Sequence, residues 1–317
     1  MRAVFLDYAT VSRDDLDVGA LTSVVPNVEL FDVTPDHELP ERVAPADIVI
    51  VNKVRMHAAA IAAAPRLQLI ALVATGTNNV DLDAAAAREI AICNIRDYCT
   101  ASVVQHVYAL ILALTRHLAG YQRLLHEGAW RDSPQFTLLE YPIRELNGKT
   151  LGIIGFGELG RGVARAASAF DLDVLVAERR GLPPREGRVT FEELLERAHI
   201  ISLHCPLTSE TQKLIGAAEL DRMRRDAVLI NTARGGLLDE HALAERLRTR
   251  GIGGAGIDVL SEEPPVEGNP LLASDIPNLI VTPHVAWAAR EARQRALDEV
   301  AANIADFLAG GRRGRVM

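Results

Sequence analysis

One stretch of the chain, from Thr150 to Arg180, restricts the possible folds more than any other part: TLGIIGFGELGRGVARAASAFDLDVLVAERR. The apolar run at 151–154 predicts a strand, and the small residues that follow the glycines predict a helix. A second apolar run, at 174–177, predicts another strand that ends at Glu178. Strand, tight turn, helix and strand in this order form one βαβ unit of a parallel sheet.

The glycines of this stretch have the spacing GxGxxG, at Gly155, Gly157 and Gly160. In a nucleotide-binding turn the first glycine permits the bend, the second admits a pyrophosphate, and the third lets the helix pack on the strand. The N–H groups and the dipole at the start of the helix favour the phosphate charge. The same spacing also occurs in loops that merely need glycine, but its place between a strand and a helix favours a dinucleotide site. The residues predicted to bind the cofactor here are Gly155, Phe156, Gly157, Glu158, Leu159 and Gly160.

The choice of cofactor depends on the end of the second strand. Glu178, 18 residues beyond Gly160, is placed to accept hydrogen bonds from the ribose hydroxyls of NAD and to repel the extra phosphate of NADP. Arg179 and Arg180 follow directly and could hold that phosphate if Glu178 turned away. We therefore expect NAD as the cofactor, with NADP as the open alternative.

The rest of the chain extends the same pattern. Its 317 residues are enough for about two domains. Further short apolar runs alternate with helical segments: AVFLD (3–7), VELFD (28–32), DIVIVN (47–52), LQLIALVAT (67–75), IAICNI (90–95), HIISLHC (199–205), AVLINTA (227–233), GAGIDV (254–259) and NLIVTP (278–283). This alternation predicts an α/β protein with mainly parallel sheets.

Ligands of such sheets bind beyond the carboxyl ends of the strands. Two strand ends in the first hundred residues are therefore candidates for substrate binding, at Lys53 and at Thr75, Gly76 and Thr77. A solvated surface lysine and a plain turn are the structural alternatives.

A mostly apolar segment, 101–119, resembles a membrane span in length but contains Gln105, His106, Arg116 and His117. We expect a buried interdomain helix instead, with both histidines as satisfied polar groups of the helix. The polar stretch 121–147 that follows, with Trp130 and two prolines, is a candidate arm that packs on another subunit.

Charge and cysteine content exclude several classes of function. A net charge of -8 argues against nucleic acid or an anionic membrane as partner, and an anionic substrate would need a local cation. Three irregularly spaced cysteines, Cys93, Cys99 and Cys205, predict neither a disulfide framework nor a metal site. The opening MRAVFLDYAT lacks the pattern of a signal peptide, so we expect a cytoplasmic protein.

Three chemically useful side chains follow the later strands: Arg234, Glu263 and His284. The guanidinium of Arg234 can hold a carboxylate and polarise the neighbouring carbonyl group, while Gly235 and Gly236 let the backbone come close. His284 can give a proton to the carbonyl oxygen, and Glu263 can orient the imidazole. Each could be a surface or turn residue by itself, but together behind a dinucleotide fold they predict hydride transfer on a 2-keto or 2-hydroxy acid.

These motifs carry a resemblance to a known family. GKTLGIIGFGELG (148–160), LHCPLT (203–208), NTARGGLLDE (231–240), GIDVLSEEPP (256–265) and TPHVAW (282–287) occur in the order found in the D-isomer-specific 2-hydroxyacid dehydrogenases. The likeness extends over essentially the whole chain. It is strongest to the glycerate dehydrogenase or hydroxypyruvate reductase branch, in VATGTNNVDLDAA (73–85), SPQFTLLEYPI (133–143) and REARQRA (290–296).

The resemblance implies two Rossmann-like domains, each a doubly wound parallel sheet, with the active site in the cleft between them. Residues 1–98 and 287–317 would form the substrate-binding domain, and 99–286 the NAD-binding domain with a dimerisation arm at 121–147. Arg234, Glu263 and His284 would be catalytic, and Lys53, Thr75, Gly76, Thr77, Arg234 and His284 would bind the substrate. Besides the glycine turn and Glu178, the cofactor would meet Arg179, Cys205, Pro206, Thr211, Thr232, Ala233, His284 and, through its carboxamide, Asp258.

The expected activity is the interconversion of hydroxypyruvate or glyoxylate with D-glycerate or glycolate by a homodimeric enzyme. The alternatives are a dehydrogenase of another small acid, of the D-lactate, phosphonate or formate type, and a non-enzymatic NAD-sensing protein similar to a transcriptional corepressor. Two departures from the family pattern are Gln105, where many members have glutamate, and the sequence Glu178-Arg179-Arg180. Formate enzymes have glutamine in place of the acid at Glu263, which argues against that alternative.

Overall fold

A computed structural model describes all 317 residues, which form two compact units. The N-terminal unit contains Met1–Cys99 and Trp287–Met317, and the central unit contains Thr100–Ala286. The strands are β1 (Ala3–Phe5), β2 (Val28–Leu30), β3 (Ile48–Val51), β4 (Leu69–Leu72), β5 (Ala91–Cys93), β6 (Thr150–Ile154), β7 (Asp173–Val176), β8 (Ile200–Leu203), β9 (Val228–Asn231), β10 (Gly254–Ile257) and β11 (Leu279–Val281).

Helices cover both faces of each sheet. They are α1 (Gly19–Val24), α2 (Leu39–Val43), α3 (Ala58–Ala62), α4 (Leu82–Ala86), α5 (Thr100–Thr115), α6 (Leu118–His126), α7 (Glu158–Ala167), α8 (Phe191–Arg197), α9 (Ala217–Arg222), α10 (Glu240–Arg248) and α11 (Arg290–Leu308). None of them combines the length and apolar character that a membrane-spanning helix requires.

The N-terminal sheet has the order β2-β1-β3-β4-β5, and all of its pairs are parallel. Alternate residues of β3 belong to separate cores: Ile48 and Ile50 face the core formed with α1 and α11, and Val49 and Val51 face the core formed with α2, α3 and α4. A parallel sheet covered on both faces needs apolar residues on both, which explains the continuous apolar run at 48–51.

The central sheet has the order β7-β6-β8-β9-β10-β11 and is also wholly parallel. One face packs on α8, α9 and α10, and α5 and α7 pack together on the other. The strand order reverses between β6 and β8, as it does between β1 and β3 in the N-terminal sheet. The prediction of an α/β fold with two doubly wound parallel sheets is therefore confirmed.

The long helix predicted at 101–119 is shorter than expected. It ends at Thr115, because His117 has a φ of +51° and a residue in this left-handed region cannot continue a right-handed helix. The His117 ring stacks on Tyr141, with 5.3 Å between ring centroids. A second helix, α6, follows directly, so the first part of the predicted arm at 121–147 is helical.

Candidate active site

The glycine turn after β6 is shaped by close packing at two of its three glycines. Gly155 has a φ of +95°, and a Cβ there would lie 2.4 Å from the backbone nitrogen of Cys205. A Cβ on Gly160 would lie 2.1 Å from the carbonyl oxygen of Gly155. Only glycine permits approaches this close, so these two residues let α7 and β8 pack against the turn.

Gly157 has a different part in the same turn. A Cβ at this position would meet no other atom within 4 Å, and Gly157 is the N-cap of α7, which begins at Glu158. The first N–H groups of a helix have no acceptor within the helix, and the helix dipole favours negative charge there. The turn therefore has the space and the hydrogen-bond donors that the pyrophosphate of a dinucleotide requires.

The other residues predicted to bind the cofactor follow the carboxyl ends of strands in the same sheet. Glu178 and Arg179 follow β7; Cys205, Pro206 and Thr211 follow β8; Thr232 and Ala233 follow β9; Asp258 follows β10; and His284 follows β11. This is the edge at which doubly wound sheets bind ligands. Burial raises the pKa of the Cys205 thiol to about 11, so this side chain is an uncharged thiol and not a thiolate at pH 7.

Glu178 is not the unpaired acid that the sequence suggests. Its side chain is only 2% exposed and accepts two hydrogen bonds from Arg185, at 2.5 Å from Nε and 2.8 Å from Nη2. The backbone N–H of Arg179 donates a third at 3.0 Å. Arg185 first, and then this N–H group, lower the pKa of the Glu178 carboxyl to about 2. The guanidinium of Arg180 pairs instead with Glu219 at 2.7 Å.

His284 and Glu263 form a direct pair in the central unit. The Nδ1 atom of the imidazole lies 2.6 Å from Oε2 of the carboxylate, and both side chains are partly exposed. The other carboxylate oxygen of Glu263 accepts the backbone N–H of Leu260 at 2.8 Å. An ionised carboxylate can only accept a hydrogen bond, so Nδ1 carries the proton and Nε2 is the nitrogen that can exchange one.

The turn that carries His284 is held by the buried carboxylate of Asp258. One oxygen of Asp258 accepts the N–H of Val285 at 2.9 Å and the hydroxyl of Thr282 at 2.5 Å, and the other accepts the N–H of Ala286 at 2.8 Å. Residue 284 itself has a φ of +55°, a strained value for a residue with a Cβ. Asp258 thus fixes the direction of the imidazole, and its predicted contact with the nicotinamide carboxamide remains a prediction.

Arg234 lies on the loop after β9, where its side chain is exposed and donates to the Ala233 carbonyl at 2.6 Å. The next residue must be glycine, because a Cβ on Gly235 would lie 1.9 Å from the carbonyl carbon of Leu260. The loop of Arg234 therefore packs on the loop that leads to Glu263. The three predicted catalytic residues thus follow three neighbouring strands, β9, β10 and β11.

The substrate-binding candidates of the N-terminal unit also follow strand ends. Lys53 follows β3, and its backbone N–H donates to the Asp7 carboxylate at 2.5 Å. Thr75, Gly76 and Thr77 follow β4, the neighbouring strand, and the Thr75 carbonyl accepts from Asn94 at 2.7 Å. Both segments lie at the same edge of their own sheet.

Three positioning side chains were missed in the sequence. Asp7 holds the backbone at 52–54, Arg185 holds Glu178, and Glu240 accepts from the N–H and hydroxyl of Ser261 at 2.8 and 2.6 Å. A sequence signal existed only for Glu240, an acid that directly follows Asp239, the N-cap residue of α10, in GGLLDE. No such signal exists for Asp7 and Arg185, because their partners depend on which strands are neighbours.

Comparison with known proteins agrees with this geometry. A family model described as "D-isomer specific 2-hydroxyacid dehydrogenase, NAD binding domain" matches residues 108–286. The chain is 47% identical to a glycerate dehydrogenase of Methylorubrum extorquens, over 98% of this chain and 96% of that one. It is 34% identical to a hydroxypyruvate reductase of Blautia hydrogenotrophica, over 98% of both chains.

A solved structure shows the same fold from end to end. The crystal structure of the TT0316 protein from Thermus thermophilus matches with a TM-score of 0.88 and 33% identity, over 100% of both chains. Sequence motifs, sheet topology and these similarities agree with one another. The chain belongs to the D-isomer-specific 2-hydroxyacid dehydrogenases, the family whose NAD-binding domain it contains.

Proposed function

We propose that the protein reduces hydroxypyruvate and glyoxylate to D-glycerate and glycolate with NADH, and catalyses the reverse oxidations with NAD. The observation that carries this proposal is the 2.6 Å pair between His284 and Glu263 at the end of the dinucleotide-binding sheet. The glycerate dehydrogenase and hydroxypyruvate reductase names of similar proteins support this choice of substrate within the family.

His284 acts as the acid in reduction and as the base in oxidation. In reduction Nε2 gives its proton to the oxygen of the keto group, which becomes the hydroxyl group of the product. Glu263 accepts the hydrogen bond from Nδ1–H throughout and so leaves Nε2 as the nitrogen that exchanges the proton. The turn held by Asp258 keeps the ring direction constant while the proton moves.

Arg234 supplies the local cation that a protein of net charge -8 needs for an anionic substrate. Its guanidinium can accept a carboxylate in a two-bond arrangement and polarise the adjacent keto oxygen. The side chain is exposed and forms no salt bridge within the protein, so pairing with a substrate carboxylate breaks no internal ion pair.

The glycine turn and the first turn of α7 would hold the pyrophosphate of the cofactor, and residues after β8, β9 and β10 would line the rest of its site. A bound nicotinamide would supply the hydride for the carbonyl carbon, and His284 supplies the proton for the oxygen. The backbone of Cys205 lies directly beside Gly155 in this turn.

We assign substrate binding in the N-terminal unit to Lys53, Thr75, Gly76 and Thr77. The segment at 75–77 has no aromatic or long aliphatic side chain, which favours a small, hydroxylated acid over a bulky one. We accordingly assign substrate binding to residues 1–98 and 287–317 and cofactor binding to 99–286.

We also propose that the enzyme is a cytoplasmic homodimer whose arm, 121–147, contacts a second subunit. Large apolar side chains are exposed in and next to this arm: Leu118, Leu125, Trp130, Phe136, Leu139 and Ile143. Contiguous exposed apolar surface is typical of protein interfaces. Three free cysteines are consistent with a reducing compartment. Light scattering of the parent protein and of a Phe136→Ser, Leu139→Ser double variant tests the dimer, since the variant should be a monomer.

A panel of acids tests the reaction. We expect NADH oxidation with hydroxypyruvate and glyoxylate at a higher kcat/KM than with pyruvate or phenylpyruvate, and NAD reduction with D-glycerate but not L-glycerate. No turnover of formate or phosphite is expected. A higher kcat/KM for phenylpyruvate would contradict the substrate assignment. Tight NADH binding without turnover of any acid would favour a cofactor-sensing protein instead.

A further inference from the structure

The carboxylate at the end of β7 lies next to more positive charge than the adjacent sequence indicates. Arg185 forms a two-bond pair with Glu178, and Nη1 of Arg188 lies 3.7 Å from the same carboxylate. Two guanidinium groups therefore face one carboxylate. The side chain of Arg179 is exposed beside them and forms no salt bridge.

The chain brings these arginines back to the strand end through a local pairing. Val189 forms a parallel bridge with Ala177, the N–H of Glu178 donates to the Val189 carbonyl at 2.8 Å, and the N–H of Val189 donates to Val176 at 3.0 Å. Residues 179–188 are thus a closed loop whose two ends lie next to each other. For this reason Arg185 and Arg188, seven and ten residues beyond Glu178, lie beside its carboxylate.

This arrangement changes the electrostatic argument for the cofactor. A free acid at this strand end would repel the 2′-phosphate of NADP, but here the charge of Glu178 is balanced by Arg185 and exceeded when Arg188 is included. An arginine near this position is the group that accommodates the 2′-phosphate in dinucleotide-binding folds. Guanidinium groups bind phosphate oxygens in two-bond geometry, as Arg185 already binds carboxylate oxygens.

We propose that Arg185, with Arg188 and Arg179, forms a binding site for the ribose 2′-phosphate, so that the enzyme uses NADP(H) as well as NAD(H). The inference rests on the proposed function only for the identity of the reaction. The Arg185 side chain is 67% exposed, so it can turn from Glu178 to a phosphate, while the buried Glu178 carboxylate keeps the Arg179 N–H and the nearby Arg188 as partners. Once Arg185 has turned away, Glu178 can accept the ribose hydroxyls of NAD. Arg185 is thus the residue that discriminates between the two cofactors.

Binding of two nucleotides that differ only in the 2′-phosphate tests the site without turnover. Adenosine 2′,5′-bisphosphate and 5′-AMP are titrated into the parent protein and into Arg185→Gln by calorimetry. We expect the parent to bind the bisphosphate at least as tightly as 5′-AMP. In Arg185→Gln the bisphosphate should bind at least about tenfold more weakly, a change of about 1.4 kcal/mol, while 5′-AMP changes less than about twofold. The parent's preference for the bisphosphate should decrease at high salt.

Two further variants make the result specific. Glu178→Gln removes the carboxylate with which Arg185 pairs and should strengthen bisphosphate binding, because the guanidinium is then available to phosphate. Arg222→Gln removes an arginine that pairs with Glu196 at 3.0 Å on the surface of the same unit, and should leave both affinities unchanged. Equal weakening of both nucleotides by Arg185→Gln would overturn the proposal, as would a parent protein that binds 5′-AMP but not the bisphosphate.

Kinetics separate this inference from the proposed function. With hydroxypyruvate, the parent should have kcat/KM values for NADPH and NADH within about tenfold of each other, and Arg185→Gln should lower only the NADPH value. If no keto acid is reduced, the reaction is wrong but the nucleotide titrations still decide the phosphate site. If hydroxypyruvate is reduced with NADH alone and the bisphosphate does not bind, the phosphate site is wrong and the reaction stands.

Discussion

The two units share one sheet topology but use the same turn for opposite purposes. In each, the turn after the first strand lies where the strand order reverses, after β1 in the N-terminal unit and after β6 in the central unit. After β1 this position is occupied by the buried carboxylate of Asp7, which accepts the N–H groups of Asn52, Lys53 and Val54 at 2.9, 2.5 and 2.9 Å. After β6 it is occupied by glycines.

The difference shows how one fold can be structural in one half and ligand-binding in the other. Parallel sheets collect backbone N–H donors at the switch point, and such donors favour an anion. The N-terminal unit supplies that anion from its own chain, through the Asp7 carboxylate. In the central unit the acid of the turn, Glu158, accepts a hydrogen bond from the Thr100 hydroxyl, and a bound dinucleotide can supply the negative charge to the N–H groups of the turn.

The largest effect should come from the acid–base group of the central unit. His284→Ala removes the only imidazole paired with Glu263, and we expect kcat for hydroxypyruvate to fall by about 10²- to 10⁴-fold. The Kd for NADH should change little, because the glycine turn is untouched. His241→Ala, an exposed histidine on α10, is the control and should keep parental turnover. Near-normal turnover of His284→Ala would show that the proton comes from elsewhere.

The next effect should be confined to the N-terminal unit. Asp7→Ala leaves three backbone N–H groups without their acceptor, and we expect the free energy of unfolding of this unit to fall by about 3 kcal/mol. Hydrogen exchange at residues 52–54 should become faster, while the Kd for NADH stays the same. Asp32→Ala, at an exposed carboxylate of the same unit, should have almost no effect. Loss of NADH binding in Asp7→Ala would contradict the separation of roles.

Local patterns in the sequence were sufficient for much of this organisation. Strand ends, the glycine turn and the three catalytic candidates follow from apolar periodicity and residue type, which depend on neighbours in the chain. The pairing of Glu178 with Arg185 could not be predicted, because it depends on Val189 joining the edge of β7. The contact of Asp7 with residues 52–54 likewise requires β1 and β3 to be neighbours.

The helix end at Thr115 was missed for a different reason. Composition and periodicity at 101–119 are helical throughout, and only the left-handed backbone of His117 breaks the segment. That conformation accompanies stacking on Tyr141, a residue 24 positions later in the chain. Propensity over a short window contains no information about such a partner.

A smaller effect is a pH dependence of stability that arises in the central unit. His204, directly after β8, has a buried Nδ1 without a hydrogen-bond partner, and burial lowers its pKa from 6.5 to about 4. The unfolded chain therefore binds more protons than the folded one below pH 6.5, so stability falls as the pH decreases from about 6.5 to about 4. Between pH 8 and pH 5 this residue should cost the central unit about 2 kcal/mol.

Urea unfolding of the parent and of His204→Gln at both pH values measures this contribution. The pKa values of His117 and His199 are also lowered by burial, so the parent should show a larger total loss than the part that the variant removes. Between pH 8 and pH 5 the variant should lose about 2 kcal/mol less of its free energy of unfolding than the parent does. An identical pH dependence in both proteins would mean that His204 is hydrated in the folded state.

The last prediction concerns Gly157, the position at which the central turn is open. Gly157→Ala adds a Cβ that meets no protein atom within 4 Å at a residue with a φ of -76°, so we expect no loss of stability. The added methyl group would enter the space beside the N-terminus of α7, where the pyrophosphate approaches the backbone. We therefore expect the Kd of NADH to rise about tenfold, equivalent to about 1.4 kcal/mol.

Two smaller ligands serve as controls for Gly157→Ala. The binding of ADP should weaken by the same factor, whereas adenosine, which has no phosphate, should bind as it does to the parent. Equal weakening of adenosine would show that the methyl group disturbs the site as a whole. Unchanged NADH binding would mean that the pyrophosphate does not lie against Gly157, and the contrast between the open turn after β6 and the filled turn after β1 would then have no consequence for binding.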